Sequence, residues 1–200
     1  LPEYYFQAVG SGSGAIAVHE AATRLIQDGR FGLRYPRLML SQNLPFAPMY
    51  RAWKLRLRNL EPSDREEGKR QIQQIVAQVL SNRNPPYSLP GGVFDVLTES
   101  QGEMFAATNQ EALAAMQLFA ELEGIDIHPA SAVALATLLK TVQSQQIDKN
   151  AYILLNITGG GWQKRGQEYQ LMTPQPTMLI DEQDIFTEVT LERIIAVGRS

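Results

Sequence analysis

Cysteine is absent from the 200 residues, which removes disulfides, thiolate nucleophiles and Cys-ligated zinc or iron–sulfur sites in one step. Histidine is scarce. His19 and His128 stand alone in the sequence with no third ligand beside them, so no metal centre is expected. A basic excess is missing as well: 18 Lys and Arg face 21 Asp and Glu, a net charge of -3, which argues against a general nucleic-acid binder. No apolar run reaches the ~18 residues of a membrane span, so no membrane partner is expected. No basic-then-apolar leader is visible, and a cytoplasmic location is the expectation. What remains is a globular composition, 44% apolar and 20% charged, with enough length to bury a core.

The aromatic and β-branched run at residues 4–9 reads as a strand, and residues 15–27 read as a helix with Ile16, Ala17, Ala21 and Leu25 on one face. A second strand is expected at 37–41, which makes a βαβ unit and implies a parallel sheet. Ser63 and Glu66 are spaced as a capping box for a helix running to about residue 80, after a basic helix near 50–58. Residues 82–92 form a loop with three prolines and two glycines. A strand at 104–107 precedes a helix opened by the Thr108–Glu111 capping box, and Pro129 starts the next one. Residues 152–157 are the most strand-like run, whereas the stretch 162–200 is an irregular tail with strand-like pieces near Leu171, Met178 and Ile185. The fold class is α/β, an open, mostly parallel sheet with flanking helices, and 1–200 is expected to be one domain.

Two loops carry the chemistry. Gly10-Ser11-Gly12-Ser13-Gly14 lies between a strand and a helix, where bare backbone approaches an anion closely and the first helical N–H groups point at it. Ser11 and Ser13 add hydroxyl donors. The alternative is a tight turn that binds nothing. Gly10, Gly12 and Ala15 match the dinucleotide pattern, but the second strand ends in Ser41-Gln42-Asn43 without the carboxylate that holds a ribose. No Gly-Lys-Ser/Thr follows, so a phosphate monoester suits the loop better than a dinucleotide or nucleoside triphosphate. Thr158-Gly159-Gly160-Gly161 closes the strand at 152–157, and both loops should face one crevice at the C-terminal edge of the sheet.

QAVGSGSG (residues 7–14), EGIDIHPASAVALA (123–136) and YILLNITGGG (152–161) occur in that order, and together they resemble the C-terminal half of fold-type II pyridoxal-phosphate enzymes, in the branch of threonine synthase and cysteate synthase. SQNLPFAPM (41–49) and LSNRNPPYSLPGGVFDVL (80–97) look closer to cysteate synthase. The resemblance implies pyridoxal 5′-phosphate as cofactor, its phosphate held by Gly10, Ser11, Gly12, Ser13 and Gly14, with Thr158 as hydroxyl partner of the pyridine nitrogen. It also implies that Glu123 and Ser131 line the active site. The implied substrate is a small amino-acid phosphate, whose phosphate is replaced by sulfite or by water, and the implied assembly is a homodimer. Threonine synthases tend to carry a histidine where this chain has Gly160. The family's Schiff-base lysine belongs to a Ser-Phe-Lys-like motif upstream of the glycine loop; Lys54, Lys69, Lys140, Lys149 and Lys164 lack that context. The expectation is therefore a C-terminal part that needs an N-terminal segment of the same enzyme and has no catalytic residue of its own. A stand-alone, non-catalytic phosphate-binding module is the alternative.

Overall fold

The computed structural model describes residues 1–61, 64–170, 172 and 174–198. The elements run β1 (Tyr4–Ala8), α1 (Ser13–Asp28), β2 (Arg37–Asn43), α2 (Pro48–Lys54), α3 (Arg65–Gln74), α4 (Val93–Glu99), β3 (Glu103–Ala107), α5 (Asn109–Glu123), α6 (Pro129–Gln143), β4 (Ile153–Leu155), α7 (Trp162–Glu168) and α8 (Glu188–Val197), with short 3-10 turns at Gln78–Leu80 and Glu182–Asp184. They form two compact units, Leu1–Arg165 and Gly166–Ser200.

The sheet of the first unit has the order β3-β2-β1-β4 and every pairing is parallel. The register sets Phe6 beside both Met39 and Leu155, and Leu40 beside Met104. A parallel sheet needs helices on both faces, and the strands supply apolar residues to each. Tyr5, Leu38, Leu40 and Met104 pack with Ala15 of α1, Met49 and Trp53 of α2, and Val93 and Leu97 of α4. On the other face Ala8 and Ala107 pack with Ala112 and Ala115 of α5 and with the alanines of α6, while Phe6 and Met39 join Ile147. Ala130, Ala132, Ala134 and Ala136 are all buried, and their small side chains let α6 lie close to the strands.

Several element ends follow from local chemistry. Gly29 takes a left-handed conformation (φ 81°) and closes α1 by donating to Ile26 O at 3.0 Å. The Thr108–Glu111 capping box is formed at α5, and the His128 side chain, accepting from Ala130 N–H at 3.1 Å, caps α6 just before Pro129. At α3 the capping side chain is that of Asp64, which accepts from Glu66 N–H at 2.9 Å; the expected partner Ser63 lies outside the described residues.

Three expectations needed correction. The helix expected to reach residue 80 stops at Gln74, because the next backbone groups bond to the side chains of Asn43 and Asn109 instead of continuing the ladder. A short helix at 93–99, α4, was not foreseen; its burial of Val93, Val96 and Leu97 shows no amphipathic stripe long enough to read. In the second unit no described residue is in a strand: Met178 is irregular and Ile185 follows a 3-10 turn, both without a partner strand to form a ladder. Leu171 lies outside the described residues. The second unit holds α8 instead, capped by Thr187, whose Oγ1 accepts from Thr190 N–H at 3.3 Å.

Candidate functional site

The strand order contains one reversal of direction. From β1 the chain winds outward to β2 and β3, then returns to place β4 on the other side of β1. Open α/β sheets bind ligands outside the strand C-termini at such a switch point. Both glycine turns lie there, one following β1 and the other following the adjacent β4.

Gly10 to Gly14 form a cradle from which side chains are excluded on three sides. A Cβ on Gly10 would lie 3.1 Å from Val79 O and 3.2 Å from Leu80 Cα. One on Gly12 would lie 2.4 Å from Val93 Cγ2, and the residue's φ of +82° is itself a left-handed value. One on Gly14 would meet Gln7 Nε2 at 2.7 Å. The first rung of α1 runs from Ile16 N–H to Gly12 O at 3.1 Å, so the preceding helical N–H groups are directed out of the helix end. Ser11 Oγ and Ser13 Oγ are 2.9 Å apart, and Ser13 N–H donates to Ser11 Oγ at 3.3 Å. Outward N–H groups, two hydroxyls and the positive end of a 16-residue helix make a receptor for an oxyanion.

A buried hydroxyl ties the second turn to α6, beside the backbone bond from His128 N–H to Gly159 O at 2.8 Å. Ser131 Oγ, on α6, accepts from Thr158 N–H at 3.0 Å, lies 3.3 Å from Thr158 Oγ1 and donates to Gly159 O at 3.3 Å. Ser131 is 1% exposed, so this contact fixes the turn from inside the protein. Thr158 itself is exposed at the mouth. Asp126 grips the far side: its backbone O accepts from Gly161 N–H at 2.7 Å, and its carboxylate accepts from Trp162 N–H at 2.9 Å and Gln163 N–H at 3.1 Å. Gly160 has no room for a side chain, since a Cβ would come within 2.3 Å of Asp126 O.

The structure thus brings Ser131 and Thr158 into contact and sets Gly10, Ser11, Gly12, Ser13 and Gly14 on the neighbouring strand's end. Glu123 stands apart, the exposed last residue of α5 before the left-handed Gly124, with no hydrogen bond to Ser131 or Thr158 among the described residues. Asp126 and Gln7 were not foreseen; a carboxylate shortly before a helix-starting proline was the only available sign of the first. Between the strands Asn156 donates to Tyr5 Oη at 2.7 Å. Burial pushes the Tyr5 hydroxyl above its ordinary value, and the hydrogen bond from Asn156 pulls against it. His19, stacked on Tyr35 with ring centroids 4.5 Å apart, is a core residue of α1: burial lowers its pKa while Glu99 acts to raise it.

Three of the lysines hold ion pairs with carboxylates outside the two glycine turns. Lys54 pairs with Glu103 at 3.2 Å, at the opposite, N-terminal end of β3. Lys69 pairs with Glu66 at 3.1 Å on α3, and Lys140 with Glu111 at 2.6 Å between α6 and α5.

Residues 1–159, which include both glycine turns up to Gly159, match the family described as pyridoxal-phosphate dependent enzyme. The chain belongs to that family. It is 50% identical over 186 residues to cysteate synthase of Methanosarcina barkeri, covering 92% of this chain and 45% of that protein. With cysteate synthase of Methanocella paludicola the identity is 49% over 195 residues, covering 97% and 44%. The chain therefore spans under half the length of these curated relatives. Its fold is similar to that of a serine racemase from Dictyostelium discoideum (TM-score 0.56, 19% identity, 80% of this chain and 44% of that one). It is also similar to that of a maize serine racemase (TM-score 0.56, 13% identity, 84% and 48%).

Proposed function

We propose that the chain is the cofactor-phosphate part of a pyridoxal-phosphate synthase that replaces the phosphate of O-phosphoserine with sulfite, forming cysteate. The observation that carries this reading is the pairing of the two turns at the β1–β4 switch point, together with the similarity to cysteate synthases. The residues fit the group. The cradle has no space for side chains yet offers outward N–H groups and two serine hydroxyls, a donor set suited to a phosphate monoester. When bound, pyridoxal phosphate supplies the electron sink that loosens bonds at an amino acid's α-carbon.

The chain's own residues have three tasks. Ser11, Ser13 and the start of α1 hold the phosphate. Thr158, locked by Ser131, would offer a neutral hydroxyl to the pyridine nitrogen of a bound cofactor; unlike a carboxylate it would not keep a proton there, which would favour elimination and replacement over transamination. Gly160, pressed against Asp126 O, keeps the turn clear of side chains. The covalent lysine comes from a segment of the enzyme outside these residues, in line with the engagement of Lys54, Lys69 and Lys140 elsewhere. By itself the chain turns nothing over.

The test is an assay of the intact enzyme for phosphate release and product with O-phosphoserine plus sulfite, and separately with O-phosphohomoserine. Turnover of the first alone is the expected result. Turnover of the second alone would make it a threonine-forming enzyme, and turnover of neither sinks the reading. The lysine placement also supports a second reading, a phosphate-ligand module without catalysis. Adding cofactor to the 200-residue chain tests both readings: a visible absorbance bleached by borohydride would demand a reactive lysine within it and overturn each.

A further inference from the structure

The wall behind Gly10 is the backbone of residues 79–80, and that backbone is not part of a regular element long enough to fix itself. It belongs to a three-residue 3-10 turn, Gln78–Leu80, entered through an extended stretch after α3. Residues 74–77 bond instead to two asparagine side chains that stand at the C-terminal ends of β2 and β3. Asn43, the last residue of β2, is fully buried, and its Oδ1 accepts from Ala77 N–H at 3.1 Å. Its Nδ2 donates to Ala107 O at 3.0 Å, to Leu44 O at 3.3 Å and to Asn109 Oδ1 at 3.2 Å. Asn109, the first residue of α5, accepts from Val76 N–H at 3.0 Å and donates to Gln74 O at 2.7 Å.

We infer that Asn43 and Asn109 are positioning residues for the cofactor phosphate: a two-amide strut that sets the 74–80 backbone against Gly10 and so sets the shape of the cradle. The inference rests on the reading of Gly10 to Gly14 as the phosphate site. Only an amide serves both needs at once, because each side chain must donate to a carbonyl and accept from an N–H. A carboxylate at either place keeps the acceptor and turns a donor into a second acceptor facing a carbonyl. The strut touches no ligand. It acts through the close approach of Val79 O and Leu80 Cα, which a Cβ on Gly10 would meet at 3.1 and 3.2 Å.

The experiment compares affinity for pyridoxal 5′-phosphate with affinity for pyridoxal, which lacks the phosphate, in the intact enzyme. Asn109→Ala is the main variant, since Asn109 is only partly buried and the fold should tolerate its loss. Pyridoxal phosphate is expected to bind about tenfold more weakly, a change of about 1.4 kcal/mol, while pyridoxal binding changes by less than about twofold on the same free-energy scale. Asn109→Asp, which keeps the acceptor for Val76 N–H, should fall between wild type and the alanine variant. Asn43→Asp supplies the second arm, with the larger loss of phosphate preference. Equal weakening of both ligands would mean a general structural role, and no weakening of either would mean no role; each overturns the inference. Wild-type enzyme that binds the two ligands equally would instead sink the phosphate-site reading itself.

Discussion

Gly12→Ala puts the cradle's packing to a quantitative test. The residue's φ is +82°, a left-handed value that costs an alanine ~1–2 kcal/mol. Its new Cβ would also lie 2.4 Å from Val93 Cγ2, and Val93 is fully buried with a β-branched side chain that has few rotamers to retreat into. Overpacking of that kind costs ~1–3 kcal/mol. The sum, about 2–5 kcal/mol, is a large part of a typical domain's 5–15 kcal/mol. The two contributions separate in a double-mutant cycle with Val93→Ala, which opens the space but leaves the backbone strain. The pair should therefore couple favourably by about 1–3 kcal/mol. Urea unfolding followed by the fluorescence of Trp53, 4% exposed, in a Trp162→Phe background reads all four corners of the cycle. A single-variant loss below about 1 kcal/mol, or coupling below about 0.5 kcal/mol, refutes the steric account.

Three further outcomes follow from named contacts. Thr108→Ala removes the capping box of α5 and should cost about 1 kcal/mol in urea unfolding, with Thr108→Ser recovering most of it. Ser131→Ala leaves Thr158 N–H without its partner, while Gly159 O keeps the bond from His128 N–H; the loss should cost ~1–3 kcal/mol and shift the Thr158 amide resonance, and an unmoved resonance would deny Ser131 its hold on the turn. Glu103 is pushed up by burial, but the Met104 N–H, the Lys54 ion pair and the Trp53 indole outweigh this and hold its carboxyl below the ordinary value. A depressed folded-state pKa gives stability that is present above the unfolded-state value of 4.5 and is lost as pH falls through the folded-state value. The stability gap between wild type and Glu103→Gln should therefore narrow as pH drops from 7 through the carboxylate range, and a constant gap would count against that account.

Local signals carried much of the fold. The aromatic and β-branched run at the first strand, the glycine loop after it, the Thr108–Glu111 box and the Pro129 start each act within a few residues, and each produced its element. What the sequence could not reveal depends on partners far along the chain. The end of α3 is decided by Asn43 and Asn109, more than thirty residues from the groups they bind. The contact of Ser131 with Thr158 crosses 27 residues, and the motif resemblance named both residues without indicating that one holds the other. In the second unit, apolar residues near Met178 and Ile185 suggested strands by type alone, and type alone does not supply the neighbour that a strand must pair with.

The strand β4 is short and stands at the edge, three residues paired only to β1. Such a strand adds little cooperative stability of its own, and it should open locally at a lower free energy than the central β1 or β2. A ligand gripped by both turns binds only while β4 is in place, so its binding free energy is passed to the strand by mass action. On the proposed reading, cofactor concentration governs how fully the sheet is assembled at that edge. The weakest rung of the fold then doubles as a gauge of cofactor supply.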